Sequence, residues 1–395
     1  MSSPVDALQR LRQMHEDAVL AALRSAGALS RAQLTQHTGL SRTTLFAIIS
    51  DLIERGAVVE TEAVPTGPRG RGRPASLVAL NPAAGLLLGL DMGRRRVRMA
   101  IANMAHQVVA TETEDVPAGA GVEELTEAAV RLVRRVAEER EIRLGALKSV
   151  GVGLVGVVGE PDLPAETVSA RYAPMTRRIA EEFGVGVMVD NNARLAALAE
   201  ATWGAARLVR DMVYVRWSVG VGGGFLCGGR LLRGAHGAAG ELGHVSLDPR
   251  GPLCHCGGRG CLEGRVGGQA LLEACAARGV ALAGVDALVA AAQDRVAEVC
   301  EVVAAAATDL GRVLAGTVTQ LDPAQVVIGG ELAALGSLVL GPIDAEISRQ
   351  ALPRSPRRIK VVPADLGANA SAMGAIALLL HEEPPVPLHL QPAAF

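Results

Sequence analysis

Three cysteines fall within eight residues, Cys254, Cys256 and Cys261, in the run Cys-His-Cys-Gly-Gly-Arg-Gly-Cys, and His244 precedes the first of them by ten positions. One imidazole and three thiolates fill a tetrahedral coordination sphere with no open position, which is the chemistry of a structural zinc ion rather than a catalytic one. The intervening glycines let a tight loop wrap a single ion. His255 is the weaker ligand candidate, because adjacent side chains point apart. Clustered cysteines in an intracellular chain point to metal rather than disulfides. The expectation is one structural Zn2+ per chain on His244, Cys254, Cys256 and Cys261, with Cys227, Cys275 and Cys300 as small core residues.

A second chemistry lies near the N-terminus. The segment Thr38-Gly39-Leu40-Ser41 reads as a turn between two helices, and the second helix opens with the polar run Ser41, Arg42, Thr43, Thr44. Polar residues at the exposed start of such a helix suit base edges and phosphates in a DNA groove. Arg can pair with guanine bidentately, whereas Ser and Thr take phosphates or a thymine methyl. Ser30, which opens the preceding helix with Gln33 as its capping-box partner, joins these candidates. Arg69, Arg71 and Arg73 alternate with glycines ahead of Pro74. Glycine permits close backbone approach, and arginine suits a narrow, electronegative minor groove.

These residues need elements to hold them. Residues 15–25 carry apolar side chains at helical spacing. A second helix runs from Ser30 to Gly39, and a third from Ser41 to Gly56 with Leu45, Ile48, Ile49 and Leu52 on one stripe. Two strand-like pieces, AVVET and SLVALN, flank the Gly/Pro/Arg-rich stretch. Three helices and a hairpin make a winged helix-turn-helix over residues 1–80. From Gly85 the texture changes to three successive strands, a helix and a strand, and near residue 187 the cycle restarts. Strands alternating with helices imply an α/β architecture. The expected divisions are 81–190 and 191–380 as two lobes, with a proline-rich tail at 381–395 that lacks the marks of order.

Composition narrows the class. At 395 residues the chain is too long for one ordinary core, and 49% hydrophobic content is ample for burial. Aromatics are only 2%, so Ala, Val, Leu and Ile must build the interior. No run approaches the roughly 18 apolar residues of a membrane span, and the acid-bearing start is unlike a signal peptide. A cytoplasmic protein without a membrane partner is expected. The net charge of −2 argues against a nucleic-acid-coating protein. It does not exclude a local reader, because residues 1–80 hold nine Arg against seven acids.

The blocks GAAGELGH (237–244) and CHCGGRGCLE (254–263) resemble the ROK family of repressors, open reading frames and sugar kinases, and SRAQLTQHTGLSRTTL with GRGRPA is similar to its repressor branch. The resemblance covers roughly residues 15–380. It implies a two-lobed, actin-like ATPase fold, zinc, assembly into a homodimer or homotetramer, and a sugar in the cleft. Carried over by position, Asn191, Glu241, His244 and Glu263 face sugar hydroxyls, and Asn192 stands where the kinases carry their proton-accepting Asp. His244 could bind zinc through one ring nitrogen and point the other at the sugar.

Two departures bear on activity. The kinases' Asp-x-Gly-Gly-Thr phosphate loop reads Asp91-Met92-Gly93-Arg94-Arg95-Arg96 here, with arginines where backbone amides should meet phosphate. Their Glu-Asn-Asp reads Asp190-Asn191-Asn192, and an amide cannot accept the sugar proton at neutral pH. The phosphate run is expected to be a solvated strand end, and no enzyme activity is expected. A third departure, Gly153-Leu154-Val155-Gly156 in place of Gly-x-Pro-Gly, points to an unusual ligand or to weak ligand binding. The expectation is therefore a DNA-binding repressor of sugar uptake or catabolism genes, acting on a palindromic double-stranded operator and modulated by a sugar-like ligand. The alternatives are a sugar kinase with a fused DNA-binding head, and a regulator controlled by a protein partner.

Overall fold

The computed structural model describes residues 4–62, 76–117, 119–158, 171–352 and 359–381. The wing arginines Arg69, Arg71 and Arg73 lie outside the described residues, as does the tail beyond His381. Two compact units partition the chain, one of Met1–Leu87, Ile101–Ala110 and Leu144–Lys148, the other of Leu88–Ala100, Thr111–Arg143 and Ser149–Phe395.

The N-terminal segment holds helices α1 (Pro4–Ala26), α2 (Arg31–Thr38) and α3 (Arg42–Glu54), and strands β1 (Leu29–Ser30), β2 (Val58–Glu62) and β3 (Ser76–Leu80). Its sheet has the order β1-β3-β2, all antiparallel. The short β1 has no counterpart in the hydrophobic pattern, because two residues carry no periodicity. Helix α1 begins eleven residues before the expected position 15. The stripe Leu45, Ile48, Ile49 and Leu52 is buried against Val19, Leu23, Leu34, Val58 and Val78. Gly39 ends α2 at φ 69°, a left-handed conformation that favours glycine.

The remainder is α/β. Strands β4 (Leu86–Met92), β5 (Arg96–Asn103), β6 (Val108–Asp115), β7 (Leu147–Leu154) and β8 (Gly186–Asn191) form one sheet in the order β6-β5-β4-β7-β8. Helices α4 (Val122–Glu139) and α5 (Ala173–Phe183) connect them. Helix α6 (Asn192–Thr202) leads to the second sheet. There β9 (Met212–Trp217), β10 (Val221–Cys227), β11 (Arg230–Leu231), β12 (Gln325–Gly329) and β13 (Lys360–Pro363) lie in the order β11-β10-β9-β12-β13. Numbered within each sheet, both run 3-2-1-4-5, so one strand order occurs twice. In the second, β9 pairs antiparallel with β10 and parallel with β12, which is parallel to β13.

Helices α7 (Glu263–Val266), α8 (Gly268–Ala276), α9 (Val285–Gln293), α10 (Ala297–Leu321) and α11 (Ser337–Gln350) supply much of the largest core, around Trp217, Leu288, Leu310, Ile328 and Ile343. Helix α12 (Ala370–His381) and helix α6 pack so closely that a Cβ on Gly374 would meet the Leu195 carbonyl oxygen at 1.8 Å. On its other side α6 meets Gly224, where a Cβ would lie 2.7 Å from the Ala197 Cβ. Every residue from Asn192 to Glu200 is buried, so this helix is interior on all faces. A helix carrying Asn192 and Arg194 is thereby fixed in the interior of its own unit.

One cysteine differs from expectation. Cys227 is exposed, because it ends β10 at the tight turn into β11, while Cys275 is buried and Cys300 half-buried.

Candidate functional site

The cysteine loop folds as a knuckle. Isolated bridges join Ser246 to Cys261 and Leu253 to Arg259, and Cys254 N–H donates to the Gly258 carbonyl at 2.8 Å. Gly260, at φ 59°, sits so close to Asp248 that a Cβ would meet its carbonyl oxygen at 1.9 Å, so only glycine fits. This closure brings His244, Cys254, Cys256 and Cys261 together, with donor atoms all within 4.8 Å of one another. Cys254 Sγ lies 3.7 Å from His244 Nδ1, and Cys256 Sγ lies 3.7 Å from Cys261 Sγ. Tetrahedral bonds of about 2.3 Å place two sulfurs about 3.8 Å apart, so the spacing matches a zinc sphere. The chemistry of the donors agrees. Burial and the neighbouring thiols push Cys261 up to about 12, whereas the Gly258 N–H lowers Cys256. A dication is what makes three adjacent thiolates compatible. The residues therefore fit the metal that the sequence implies.

The expected ligand residues converge beside this knuckle. One ring nitrogen of His244 lies within 4.8 Å of donor atoms on His255 and Glu263. Asn191 Nδ2 donates to the Gly156 carbonyl at 2.9 Å and to Glu241 Oε1 at 3.4 Å. Glu241 follows Gly240, where a φ of 93° and a Cβ that would lie 2.4 Å from the Gly223 carbonyl oxygen exclude a side chain. Burial raises the Glu241 carboxyl above its ordinary value, opposed by His244 and Arg194. Glu263 Oε2 accepts from the Val221 N–H at 2.8 Å, so it supports the start of β10 as well as facing the cluster.

Asn192 is held elsewhere. Its Nδ2 donates to Asp91 Oδ1 at 3.3 Å, and Asp91, fully buried, also pairs with Arg98 at 3.3 Å. Asn191 caps helix α6 by accepting from the Ala193 and Arg194 N–H groups. The group thus satisfies itself internally. Two hollows of about 290 Å³ lie away from it, one lined by Thr126, Met175 and Arg178, the other by Leu11, His15 and Ile48.

An ionic clamp adjoins these residues. Asp190, nearly inaccessible, accepts from Arg194 Nε at 2.6 Å and from Arg233 Nε at 2.7 Å. Arg194 also donates to the Val158 carbonyl at 2.9 Å and to the Gly237 carbonyl. One buried guanidinium therefore ties the end of β8 to the start of the GAAGELGH loop. Asp190 lies at the end of β8, just before the N-cap Asn191, and its four-residue spacing from Arg194 is a legible signal. The 43 residues to Arg233 offer none. In the arginine run, Arg94 and Arg95 are exposed as expected, but Arg96 pairs with Asp115 at 2.8 Å and Asp286 at 3.6 Å.

In the N-terminal segment, Ser30 and Ser41 hydroxyls accept from the Gln33 and Thr44 N–H groups, so both act as N-caps. The hydroxyls of Ser41 and Thr44 are 2.9 Å apart. Arg42 and Thr43 are exposed at the start of α3. The acids nearby are neutralised: Glu16 takes Arg12 and Arg55, and Asp51 takes the same two.

Comparisons with known proteins agree along most of the chain. The ROK family profile matches residues 87–382. The xylose repressor of Caldicellulosiruptor bescii is 24% identical over 388 residues, spanning 94% of this chain and 96% of the repressor. The crystal structure of a ROK family transcriptional regulator, a homologue of the Escherichia coli MLC protein, superposes with a TM-score of 0.78 at 26% identity, covering 94% of this chain and 96% of that one. A ROK family glucokinase from Streptomyces griseus, solved with glucose and AMPPNP, gives a TM-score of 0.64 at 26% identity. It is covered over 99% of its length but accounts for 74% of this chain. The fold is that of the actin-like ATPases, shared by the regulator and the kinase.

Proposed function

Because the chain belongs to the ROK family, we propose that it is a transcriptional regulator, a repressor of sugar uptake or catabolism genes that binds a palindromic operator and responds to a sugar-like ligand. The observation that carries this reading is the three-helix segment ahead of the kinase-like fold, with Arg42 and Thr43 exposed at the start of α3 and the neighbouring acids neutralised. A likeness to the regulator over 94% of this chain, against 74% for the glucokinase, supports it.

In this reading residues 1–80 are the DNA-reading head, with Ser30, Ser41, Arg42, Thr43, Thr44, Arg69, Arg71 and Arg73 toward DNA. Residues 81–190 and 191–380 are the two lobes. The protein works in the cytoplasm as a homodimer or homotetramer, whose two-fold symmetry calls for a palindromic site. His244, Cys254, Cys256 and Cys261 hold one zinc ion, which ties the knuckle down and orients His244 toward the ligand. Asn191, Asn192, Glu241, His244 and Glu263 take the sugar hydroxyls. Binding then has to exchange existing hydrogen bonds, Asn191 to Gly156 and Asn192 to Asp91 among them, for bonds to the ligand. That exchange gives the sugar a way to favour one conformation over another.

The residue type at position 192 argues against phosphoryl transfer. Asn192 is an amide, which cannot take a proton from a sugar hydroxyl at neutral pH. Genomic footprinting of the full chain tests the regulator reading. Bound promoters beside sugar transport or catabolic genes, released or gained with one sugar of a panel, are the expected result. Purified protein without salt-sensitive, sequence-preferring DNA binding would overturn it. A coupled assay with ATP and a hexose panel is expected to show no turnover. Turnover abolished by Asn192→Ala would establish the kinase instead.

A further inference from the structure

Helix α3 presents an aromatic ring to solvent. Phe46 is 61% exposed in a chain with only four phenylalanines. A single exposed apolar side chain is ordinary by itself, but its surroundings here are not. Over its N-terminal half the outward face of α3 consists of Arg42, Thr43, Phe46, Ala47 and Ser50, all exposed and none acidic, and the exposed Glu54 lies at the far C-terminal end of the helix. Asp51 on the next turn is paired with Arg12 and Arg55. The face around the ring is thus cationic or neutral, which complements a polyanion.

The ring is also held. Arg31, the first residue of α2, stands with its guanidinium carbon 5.8 Å from the Phe46 ring centroid. Its Nη2 is anchored on Glu60 at 2.6 Å, and its buried Nε makes no hydrogen bond. A guanidinium over an aromatic face is attractive and fixes the ring's orientation. Phe46 lies one turn beyond Arg42, four residues along the same face, so a helix that sets Arg42 against one base sets Phe46 against a neighbouring one. In the major groove the apolar group available to a phenyl ring is the C5-methyl of thymine.

We propose that Phe46 is a specificity-determining residue of the head, reading a thymine methyl in the major groove with its ring steadied by Arg31. This rests on the regulator reading above. It adds a base contact one turn further along α3 than those of the polar residues at the helix start.

The test begins with selection of preferred duplexes from a random library by the full-length protein. Each thymine of the selected site is then replaced singly by deoxyuridine, which removes only the methyl. Burial of one such group is worth about 0.8 kcal/mol, or about fourfold in affinity. The expected result is an about fourfold loss at one symmetric position in each half-site for the wild type, absent in Phe46→Ala and partly kept in Phe46→Leu. Because the ring touches no phosphate, Phe46→Ala should leave the slope of log affinity against log salt unchanged. Its thermal unfolding should also stay close to wild type, since the ring is mostly exposed. A wild type indifferent to deoxyuridine at every position, or one in which no position loses its penalty in Phe46→Ala, overturns the assignment. A protein that selects no duplex at all overturns the regulator reading and this assignment together.

Discussion

At the scale of single residues, the zinc knuckle and the Asn192 position carry the sharpest expectations. Elemental analysis should find about one zinc per chain, and Cys256→Ser should lose the metal and unfold at a lower temperature, because a structural site contributes its binding free energy to folding. A Cys256→Ser protein that kept both metal and thermal stability would remove the assignment. Asn192→Asp restores the residue type of a kinase, yet it would set a carboxylate 3.3 Å from Asp91. Two carboxylates that close cannot both ionise readily, so one is held protonated at a raised pKa. A carboxyl whose folded pKa is raised contributes most below its unfolded pKa and loses that contribution as pH rises through the folded one. Asn192→Asp should therefore be less stable than wild type at neutral pH, recover ground as pH falls, and phosphorylate no sugar. Chemical denaturation across pH measures the first two outcomes. Equal destabilisation at every pH would show that the two side chains do not interact.

At the scale of elements, helix α6 decides the geometry of the site. It is interior on all faces, starts on Asn191 and Asn192, and is pinned by Gly374 on one side and Gly224 on the other. Gly374→Ala forces a methyl against a backbone carbonyl rather than a movable side chain, and should cost about 3 kcal/mol in denaturant unfolding. An unchanged midpoint would mean that the two helices separate easily. Arg194 is the electrostatic counterpart of this packing. Its removal leaves Asp190 buried with Arg233 as its remaining cation, and frees the Val158 and Gly237 carbonyls. The N-caps at Ser30 and Ser41 show how much of an element is local. Each hydroxyl bonds an amide three residues ahead, so helix starts can be read from Ser-x-x-Gln and Ser-x-x-Thr directly.

At the scale of the whole molecule, two sheets of identical strand order follow a helical head, and the match to a transcriptional regulator runs nearly end to end. Ligand binding should be visible by calorimetry with a sugar panel. Glu263→Gln keeps an acceptor for the Val221 N–H but loses the charge, so affinity should fall about tenfold at nearly wild-type stability. Sugar binding unaffected by this change would place the ligand elsewhere. No clear heat with any sugar would favour a protein partner as the controlling input. Among the described residues, no helix is long and apolar enough to cross a membrane, in line with the hydropathy of the sequence.

The sequence alone determined what is local or chemically specific. Helices α2 and α3, the apolar stripe of α3 and the gathering of His244 with Cys254, Cys256 and Cys261 follow from short-range spacing, because capping, turns and tight loops act over short stretches of chain. The α/β alternation was equally legible from hydrophobic period. Only the tertiary structure decided which distant groups meet. Asp190 finds Arg233 across 43 residues, and Asn192 finds Asp91 across 101. Glu263 bonds a strand amide 42 positions away, and Phe46 stays in solvent under Arg31 rather than joining the core. Such pairings depend on how helices and strands stack, and stacking is set by close contacts such as those at Gly374 and Gly224. A glycine there looks in sequence like any other.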